Sequence, residues 1–266
     1  MASPPGDPGL GPLAALAADP PGSAVLTDFD GTLSPVVPDP ERAVPLPGAT
    51  GVLAALAERF ALVAVVSGRP VRFLERQLAG AGPRVRLVGG YGVEWLQGGE
   101  VHRAPEVEPW LGPAAEVAAA ARAEAPPGVG IEDKGFAVTL HWRPAPEAGP
   151  WAQEFAARWS ERTGMVLQPG RLAVEFRPPV ALDKGATLER LAAGCRAVCF
   201  MGDDAGDVAA FDALDRLAGS GVHGVRVAVA DAESPPELVA RADLVVDGPH
   251  AALALLDALA RAAAAR

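Results

Sequence analysis

Short, continuous apolar segments alternate with helical segments along most of this chain, and several of them end in polar residues. Residues 24–27 (AVLT) precede the polar cluster DFDGT, and the segment ALVAVVSGR ends in small polar residues. A third strand is predicted at 84–92, with helices at 48–59 and 70–79 between the strands. Strands that are apolar on both faces and alternate with helices are typical of a parallel sheet covered on both sides. Ligands bind such sheets beyond the carboxyl ends of the strands.

The pattern changes near residue 104 and resumes from about residue 180. Between them, helices are predicted at 110–125 and 150–163, and the segments VGIEDK, FAVTLHWR, MVLQP and RLAVEFRP suit a sheet with one solvated face. We therefore predict an α/β protein with a Rossmann-like core and an inserted, smaller α+β domain. The predicted boundaries are a flexible N-terminal arm at 1–22, the core at 23–103 and 175–266, and the insert at 104–174.

Charge and composition limit the kinds of molecule that this chain can bind. The 266 residues carry a formal net charge of −10, which argues against a nucleic-acid or anionic-membrane binder. No strongly apolar run of about 18 residues indicates a membrane span, and the N-terminus lacks the pattern of a secretory signal. Cys195 and Cys199 lie in a predicted buried strand, which favours a reduced, cytoplasmic protein. We expect a monomer.

Acidic and cationic residues follow several of the predicted strands. Asp28 and Asp30 come directly after the first strand, and the acidic segment 202–207 (GDDAGD) follows another apolar strand. Neighbouring carboxylates in a dry site need a cation, or one of them must be protonated. Oxygen-only ligands favour Mg²⁺ over Zn²⁺. Lys184, one of only two lysines, begins a predicted helix, and Ser67 ends the second strand.

Together these groups suit phosphoryl transfer. Mg²⁺ and Lys184 would offset the charge of a phosphate ester, and the hydroxyl of Ser67 would orient its oxygens. A carboxylate nucleophile divides hydrolysis into two easier steps, and a second carboxylate can serve as the acid and then the base.

Four segments resemble the motifs of the haloacid dehalogenase (HAD) superfamily of aspartate-nucleophile phosphatases: AVLTDFDGTLSPVV, VVSGR, LDKGATL and MGDDAGD. The chain is more closely similar to the trehalose-6-phosphate phosphatase family. That resemblance rests on DFDGTLSPVVPDPERA, YGVEW, IEDKG with HWR, and VEFRPP, and it covers nearly the whole chain beyond residue 23.

The resemblance implies a role for each residue that matches a superfamily motif. Asp28 would attack phosphorus and form an aspartyl phosphate, and Asp30 would be the general acid/base. Mg²⁺ would bind the carboxylate of Asp28, the backbone carbonyl of Asp30 and Asp203. Ser67 and Lys184 would hold the transferring phosphoryl group.

Two more acidic residues and a set of substrate contacts follow from the same resemblance. Asp204 and Asp207 would orient Lys184 or metal-bound water, and the insert would be a cap that closes over the sugar. The residues expected to contact the substrate are Gly31, Thr32, Gly68, Arg69, Tyr91, Glu94, Glu132, Lys134, His141, Arg143, Glu175 and Arg177.

The chain departs from the family pattern at two places. Gly206 and Val208 stand where the family usually has Thr and Glu, and Tyr91 stands where it often has His. The resemblance implies a Mg²⁺-dependent hydrolase that releases trehalose and phosphate from trehalose 6-phosphate. Four alternatives stay open: a phosphatase for sucrose 6-phosphate, one for mannosyl- or glucosyl-3-phosphoglycerate, a phosphomutase, and a non-catalytic sugar-phosphate sensor.

Overall fold

The computed structural model describes residues 10–37, 40–231 and 234–265. These residues form two compact units. The first unit contains the chain up to His102 and from Leu182 onward, and the second contains Arg103–Ala181. Within the described residues, no helix is both long enough and apolar enough to cross a membrane.

An eight-stranded sheet forms the centre of the first unit. In spatial order its strands are β12 (Leu244–Asp247), β11 (His223–Ala230), β10 (Ala197–Gly202), β1 (Ser23–Thr27), β2 (Leu62–Val66), β3 (Val85–Gly89), β4 (Glu94–Gln97) and β5 (Glu100–Arg103). Neighbours from β12 to β3 are parallel, and β3 pairs with β4 in antiparallel fashion. The predicted α/β class with a largely parallel sheet is confirmed.

Helices cover both faces of this sheet because its central strands are apolar on both sides. Val25 of β1 belongs to one hydrophobic cluster, whereas Ala24 and Leu26 belong to another. The first cluster is covered by α1 (Ala14–Ala18), α2 (Ala49–Ala57), α3 (Val71–Gln77) and α9 (Gly248–Ala264). The second is covered by α6 (Lys184–Leu191), α7 (Val208–Gly219) and α8 (Pro236–Arg241).

The predicted flexible arm at 1–22 is wrong for residues 10–22, and residues 1–9 lie outside the described residues. Leu13 and Leu16 are completely buried in the first cluster, and α1 contacts α9. A single turn of helix is unstable alone, but tertiary packing of its apolar side stabilises it.

The second unit is an α+β structure with its own core. Its antiparallel sheet has the order β6 (Gly130–Asp133), β7 (Val138–His141), β9 (Ala173–Arg177) and β8 (Val166–Gly170). Val138, Leu140 and Phe176 pack with α4 (Leu111–Glu124) and α5 (Gly149–Thr163) in one hydrophobic cluster. This unit ends at 181 and not at the predicted 174; β9, which runs to Arg177, belongs to it because it pairs with β7 and β8.

Candidate active site

The carboxyl edge of the parallel sheet gathers the acidic residues that the sequence places after separate strands. Asp28 follows β1 and Asp203 follows β10, and these two strands are direct neighbours. The backbone N–H of Asp28 donates to the carbonyl of Met201 at 2.9 Å, which continues the β1–β10 pairing to the edge. One carboxylate oxygen each of Asp28, Asp203 and Asp207 lies within 4.8 Å of the other two.

Lys184 is buried between two of these carboxylates. Its Nζ lies 2.9 Å from Oδ2 of Asp28 and 2.6 Å from Oδ1 of Asp207. The lysine side chain is 2% exposed and that of Asp207 is 0% exposed. Burial lowers the pKa of Lys184, but the carboxylates of Asp207 and Asp28 outweigh that effect and raise the pKa well above its usual value. Lys184 is therefore a permanent cation here.

Asp207 organises the loop after β10 rather than facing an open site. Its Oδ1 accepts from Lys184, and its Oδ2 accepts from the backbone N–H groups of Asp203 (2.9 Å) and Asp204 (3.1 Å). Asp204 in turn accepts from the N–H of Gly206 at 2.8 Å, which completes a capping box before α7. The loop is held without the Thr and Glu that Gly206 and Val208 replace.

The cluster brings together more carboxyl groups than cations in a place largely shielded from water. Burial raises the pKa of the Asp28 carboxyl well above its ordinary value, although Lys184 opposes the rise. Burial, with Asp207 and Asp204 nearby, raises the pKa of Asp203 to about 8. Oδ1 of Asp203 accepts from the hydroxyl of Thr32 at 3.0 Å, and no donor among the described residues contacts its Oδ2. A divalent cation bound beside these carboxyl groups would favour their ionised form, in which they are hard oxygen donors.

Gly31 permits this close approach of the two loops. Its φ is +68°, a left-handed conformation that L side chains rarely adopt. A Cβ at this position would overlap the carboxylate of Asp203. Any side chain at Gly31 would therefore displace Asp203 from the cluster.

Asp30 is held by Arg69 rather than by the acidic cluster. Nε and Nη2 of Arg69 donate to Oδ2 and Oδ1 of Asp30 at 2.8 and 2.7 Å. The guanidinium carbon of Arg69 lies 4.7 Å from the ring centroid of Phe73. The carboxylate of Asp30 thus has a fixed orientation set by a planar, two-donor partner.

The turn after β2 presents Ser67 and Gly68 next to Tyr91. Ser67 is buried, and its Oγ accepts from the backbone N–H of Arg69 at 3.3 Å. Tyr91 has a φ of +60°, and its carbonyl accepts from the hydroxyl of Thr187 at 3.1 Å. A Cβ at Gly68 would approach the Tyr91 ring at 2.6 Å. Glycine is therefore needed for this contact between Gly68 and the ring.

Glu94, which the family resemblance predicts to contact substrate, is buried, and its carboxylate caps a helix. Its Oε1 accepts from the backbone N–H of Val71, the first residue of α3, at 2.6 Å. The side chain completes the N-terminal turn of the helix that follows Arg69.

We expect replacement of Glu94 by alanine to lower the free energy of unfolding by ~1–3 kcal/mol, because the buried N–H of Val71 loses its acceptor. Urea unfolding followed by circular dichroism measures this loss. The control is Glu75→Ala, which removes an exposed carboxylate paired with Arg72 and should cost less than about 0.5 kcal/mol. A stable Glu94→Ala protein with a raised KM would restore the substrate-contact interpretation.

The second unit presents a polar sheet face opposite its hydrophobic cluster. Thr139 and Glu175 are paired across β7 and β9, and Glu132 pairs with Thr139 across β6 and β7. Nζ of Lys134 donates to Oε1 of Glu175 at 2.5 Å, and Nε2 of His141 lies 3.2 Å from Oε2 of Glu132. We call this group the polar face of the second unit.

The remaining predicted contacts lie near this face. Nε of Arg177 is 4.0 Å from Oε2 of Glu175, and Arg143 is exposed in the turn after β7. Thr139, which no sequence motif singles out, lies on the same face, and its hydroxyl lies 3.4 Å from Oε1 of Glu175. Its position two residues before His141 was the available signal, because alternate residues of a strand share a face.

Comparison with known proteins shows the family to which this chain belongs. The family model described as trehalose-phosphatase matches residues 26–242. Trehalose-phosphate phosphatase from Mycolicibacterium paratuberculosis is 36% identical over 253 residues, which are 90% of this chain and 60% of that protein. The protein of that name from Mycobacterium tuberculosis is 32% identical over 249 residues, with 90% and 61% covered. This chain therefore spans about 60% of the length of these relatives.

Solved structures show the same fold. A trehalose-6-phosphate phosphatase related protein superposes with a TM-score of 0.75 at 23% identity, covering 90% of this chain and 97% of that one. Aspergillus fumigatus trehalose-6-phosphate phosphatase superposes with a TM-score of 0.64 at 26% identity, covering 95% and 97%. The parallel sheet flanked by helices is that of the HAD-like class. Within it, the chain belongs to the trehalose-phosphatase family.

Proposed function

We propose that this chain hydrolyses trehalose 6-phosphate to trehalose and phosphate through an aspartyl phosphate on Asp28. The observation that carries the proposal is the buried contact of Lys184 with both Asp28 and Asp207, beside Asp203, at the carboxyl edge of a sheet in a trehalose-phosphatase chain. The carboxylate has a cation beside it that can also attract a phosphoryl group. The alternatives of a phosphomutase and a sensor share the fold, so products must be measured.

The proposed cofactor is Mg²⁺. The carboxylates of Asp28 and Asp203 and the backbone carbonyl of Asp30 would hold it, as the family resemblance implies, and Oδ2 of Asp203 is contacted by no donor among the described residues. When bound, the ion supplies positive charge that offsets the carboxylates and the phosphate oxygens.

The chemistry proceeds in two steps. An oxygen of Asp28 forms a bond to phosphorus while the bond from phosphorus to the sugar oxygen breaks, and Asp30 donates a proton to that oxygen. A water molecule then transfers a proton to Asp30 as its oxygen attacks phosphorus, which releases phosphate and restores the Asp28 carboxylate. Lys184 and Ser67 hold the phosphoryl oxygens in both steps.

A panel of phosphate esters tests the substrate. We expect kcat/KM for trehalose 6-phosphate to exceed the values for sucrose 6-phosphate and for mannosyl- and glucosyl-3-phosphoglycerate. A higher value for any of these overturns the substrate assignment. Appearance of an isomeric sugar phosphate instead of free phosphate would identify a phosphomutase.

Arg69 is proposed to act through Asp30. The change Arg69→Lys keeps the positive charge, but a lysine ammonium does not donate to both oxygens of Asp30 in the way the planar guanidinium does. The carboxylate of Asp30 therefore loses its orientation. We expect kcat to fall about tenfold or more while KM changes less, measured by steady-state phosphate release. The control is Arg72→Lys, because Arg72 is exposed and pairs with Glu75. A change confined to KM would assign Arg69 to substrate binding.

The polar face of the second unit is proposed to bind the sugar. Lys134 and Glu175 provide a donor and an acceptor for hydroxyl groups, and both are largely buried. We expect Lys134→Arg to raise KM about tenfold with little change in kcat, since the bulkier guanidinium disturbs the 2.5 Å contact. Arg122→Lys, the reverse exchange at an exposed pair with Asp133, should leave both constants unchanged. Wild-type kinetics for Lys134→Arg would make this ion pair purely structural.

A further inference from the structure

A cavity opens in the first unit beside the end of α6. Its volume is about 320 Å³, which is within the range that small organic ligands occupy. The floor is apolar, and the residues at the floor include Leu62, Val88 and Leu191. Trp95, Gln97, Arg86 and Arg190 also line the cavity.

Two arginines give this cavity a positive character in an acidic chain. Neither Arg86 nor Arg190 forms an ion pair with any carboxylate among the described residues. The guanidinium carbon of Arg190 lies 5.3 Å from the ring centroid of Trp95, and that ring stacks on His102 at 5.9 Å. The cavity thus combines uncompensated positive charge with a flat aromatic surface, in a protein whose net charge is −10.

The cavity is separate from the phosphoryl-transfer site. None of the residues that line the cavity is among those proposed to act in phosphoryl transfer; the lining begins at Leu62, the first residue of β2, and runs along β3 from Arg86 to Val88. Asp28 and Ser67 follow the carboxyl ends of β1 and β2. Lys184 begins α6, whereas Arg190 is in its last turn, about 9 Å along the helix axis.

We propose that this cavity binds a small organic anion with a flat aromatic body and one acidic group. The apolar floor and Trp95 would contact the ring, and Arg86 and Arg190 would pair with the acidic group. A sugar phosphate matches this lining less well, because most of its hydroxyl groups would face leucine and valine side chains and only Gln97 offers an amide to them.

Binding of 1-naphthalenesulfonate by the full chain tests the proposal. This probe has the required ring and charge but contains no phosphate ester that the enzyme could hydrolyse. We expect saturable binding by calorimetry and a shift of the Trp95 indole N–H resonance, which the variant Trp95→Phe identifies. The double variant Arg86→Ala/Arg190→Ala should bind at least about tenfold more weakly, because it lacks both cations. Its phosphatase activity without probe should equal that of the wild type.

Three controls show whether the probe binds in this cavity and through its charge. Arg84→Ala removes a nearby cation that pairs with Glu58 outside the cavity, and it should leave the affinity unchanged. The uncharged analogue 1-naphthol should bind more weakly than the sulfonate, and inorganic phosphate should not displace the probe. The proposal is overturned if the wild type shows no saturable binding, if the double variant binds equally well, or if phosphate competes.

Discussion

Replacement of Asp28 by asparagine is expected to abolish phosphate release while the protein stays folded. The amide has nearly the same volume as the carboxylate but is a far weaker nucleophile, so we expect kcat to fall by at least about three orders of magnitude. Lys184 keeps its 2.6 Å contact with Asp207 in the variant, so no buried charge is left alone. Steady-state phosphate release and urea unfolding measure the two properties on the same preparation.

The matched control is Asp19→Asn. Asp19 makes an exposed ion pair with Arg196, so the same chemical change there should leave turnover intact. Normal turnover by the Asp28→Asn protein would show that another group attacks phosphorus. A wild-type protein that binds trehalose 6-phosphate without turnover would instead be the sensor.

Replacement of Lys184 has the second large expected effect, and it changes stability as well as rate. In Lys184→Met the carboxylates of Asp28 and Asp207 stay buried without their cation, which should cost ~3–5 kcal/mol of folding free energy. Lys184→Arg retains the charge, but a planar guanidinium does not fit between two oxygens at 2.9 and 2.6 Å. We expect a loss of about three orders of magnitude in kcat for both variants.

A double variant separates the two roles of Lys184. Lys184→Met/Asp207→Asn removes one buried anion together with the cation, so unfolding measurements should show much of the stability restored while turnover stays lost. Recovery of turnover without a cation at position 184 would contradict the role given to this lysine. Near-wild-type turnover in Lys184→Arg would show that a cation of any shape suffices there.

The parallel sheet and the meeting of Asp28 with Asp203 could be predicted because they follow from local patterns. An apolar strand buried on both faces is visible in the chain, and the carboxyl ends of parallel strands share one edge. The helices could be predicted from the periodicity of their apolar residues. The family resemblance supplied the expected roles of these residues, which spacing alone does not determine.

Other features of the site and fold depend on contacts between residues far apart in the sequence, so no local sequence pattern predicts them. The pairing of Asp30 with Arg69 spans 39 positions, and Glu94 caps a helix that begins 23 positions earlier. Residues 10–22 looked like a flexible arm because a short Ala/Leu segment is marginal alone, yet α9 and the sheet bury Leu13 and Leu16. Strand β4 and the edge strand β5 are short and partly exposed, so they lack the apolar run that identified the central strands.

The pairing of β1 with β10 also dictates when the site can assemble. Thr32 and Asp203 make a hydrogen bond across 171 positions, and the whole second unit lies between them in sequence. During synthesis from the N-terminus, β1 leaves the ribosome long before its neighbour β10. The second unit, in contrast, forms its own core from one continuous segment. The entropy of closing such a loop grows only slowly with its length, so a folded insert of this size is tolerated. The carboxylates of Asp28, Asp203 and Asp207 therefore come together only after residue 207 has left the ribosome, and any chain that stops earlier lacks the complete cluster.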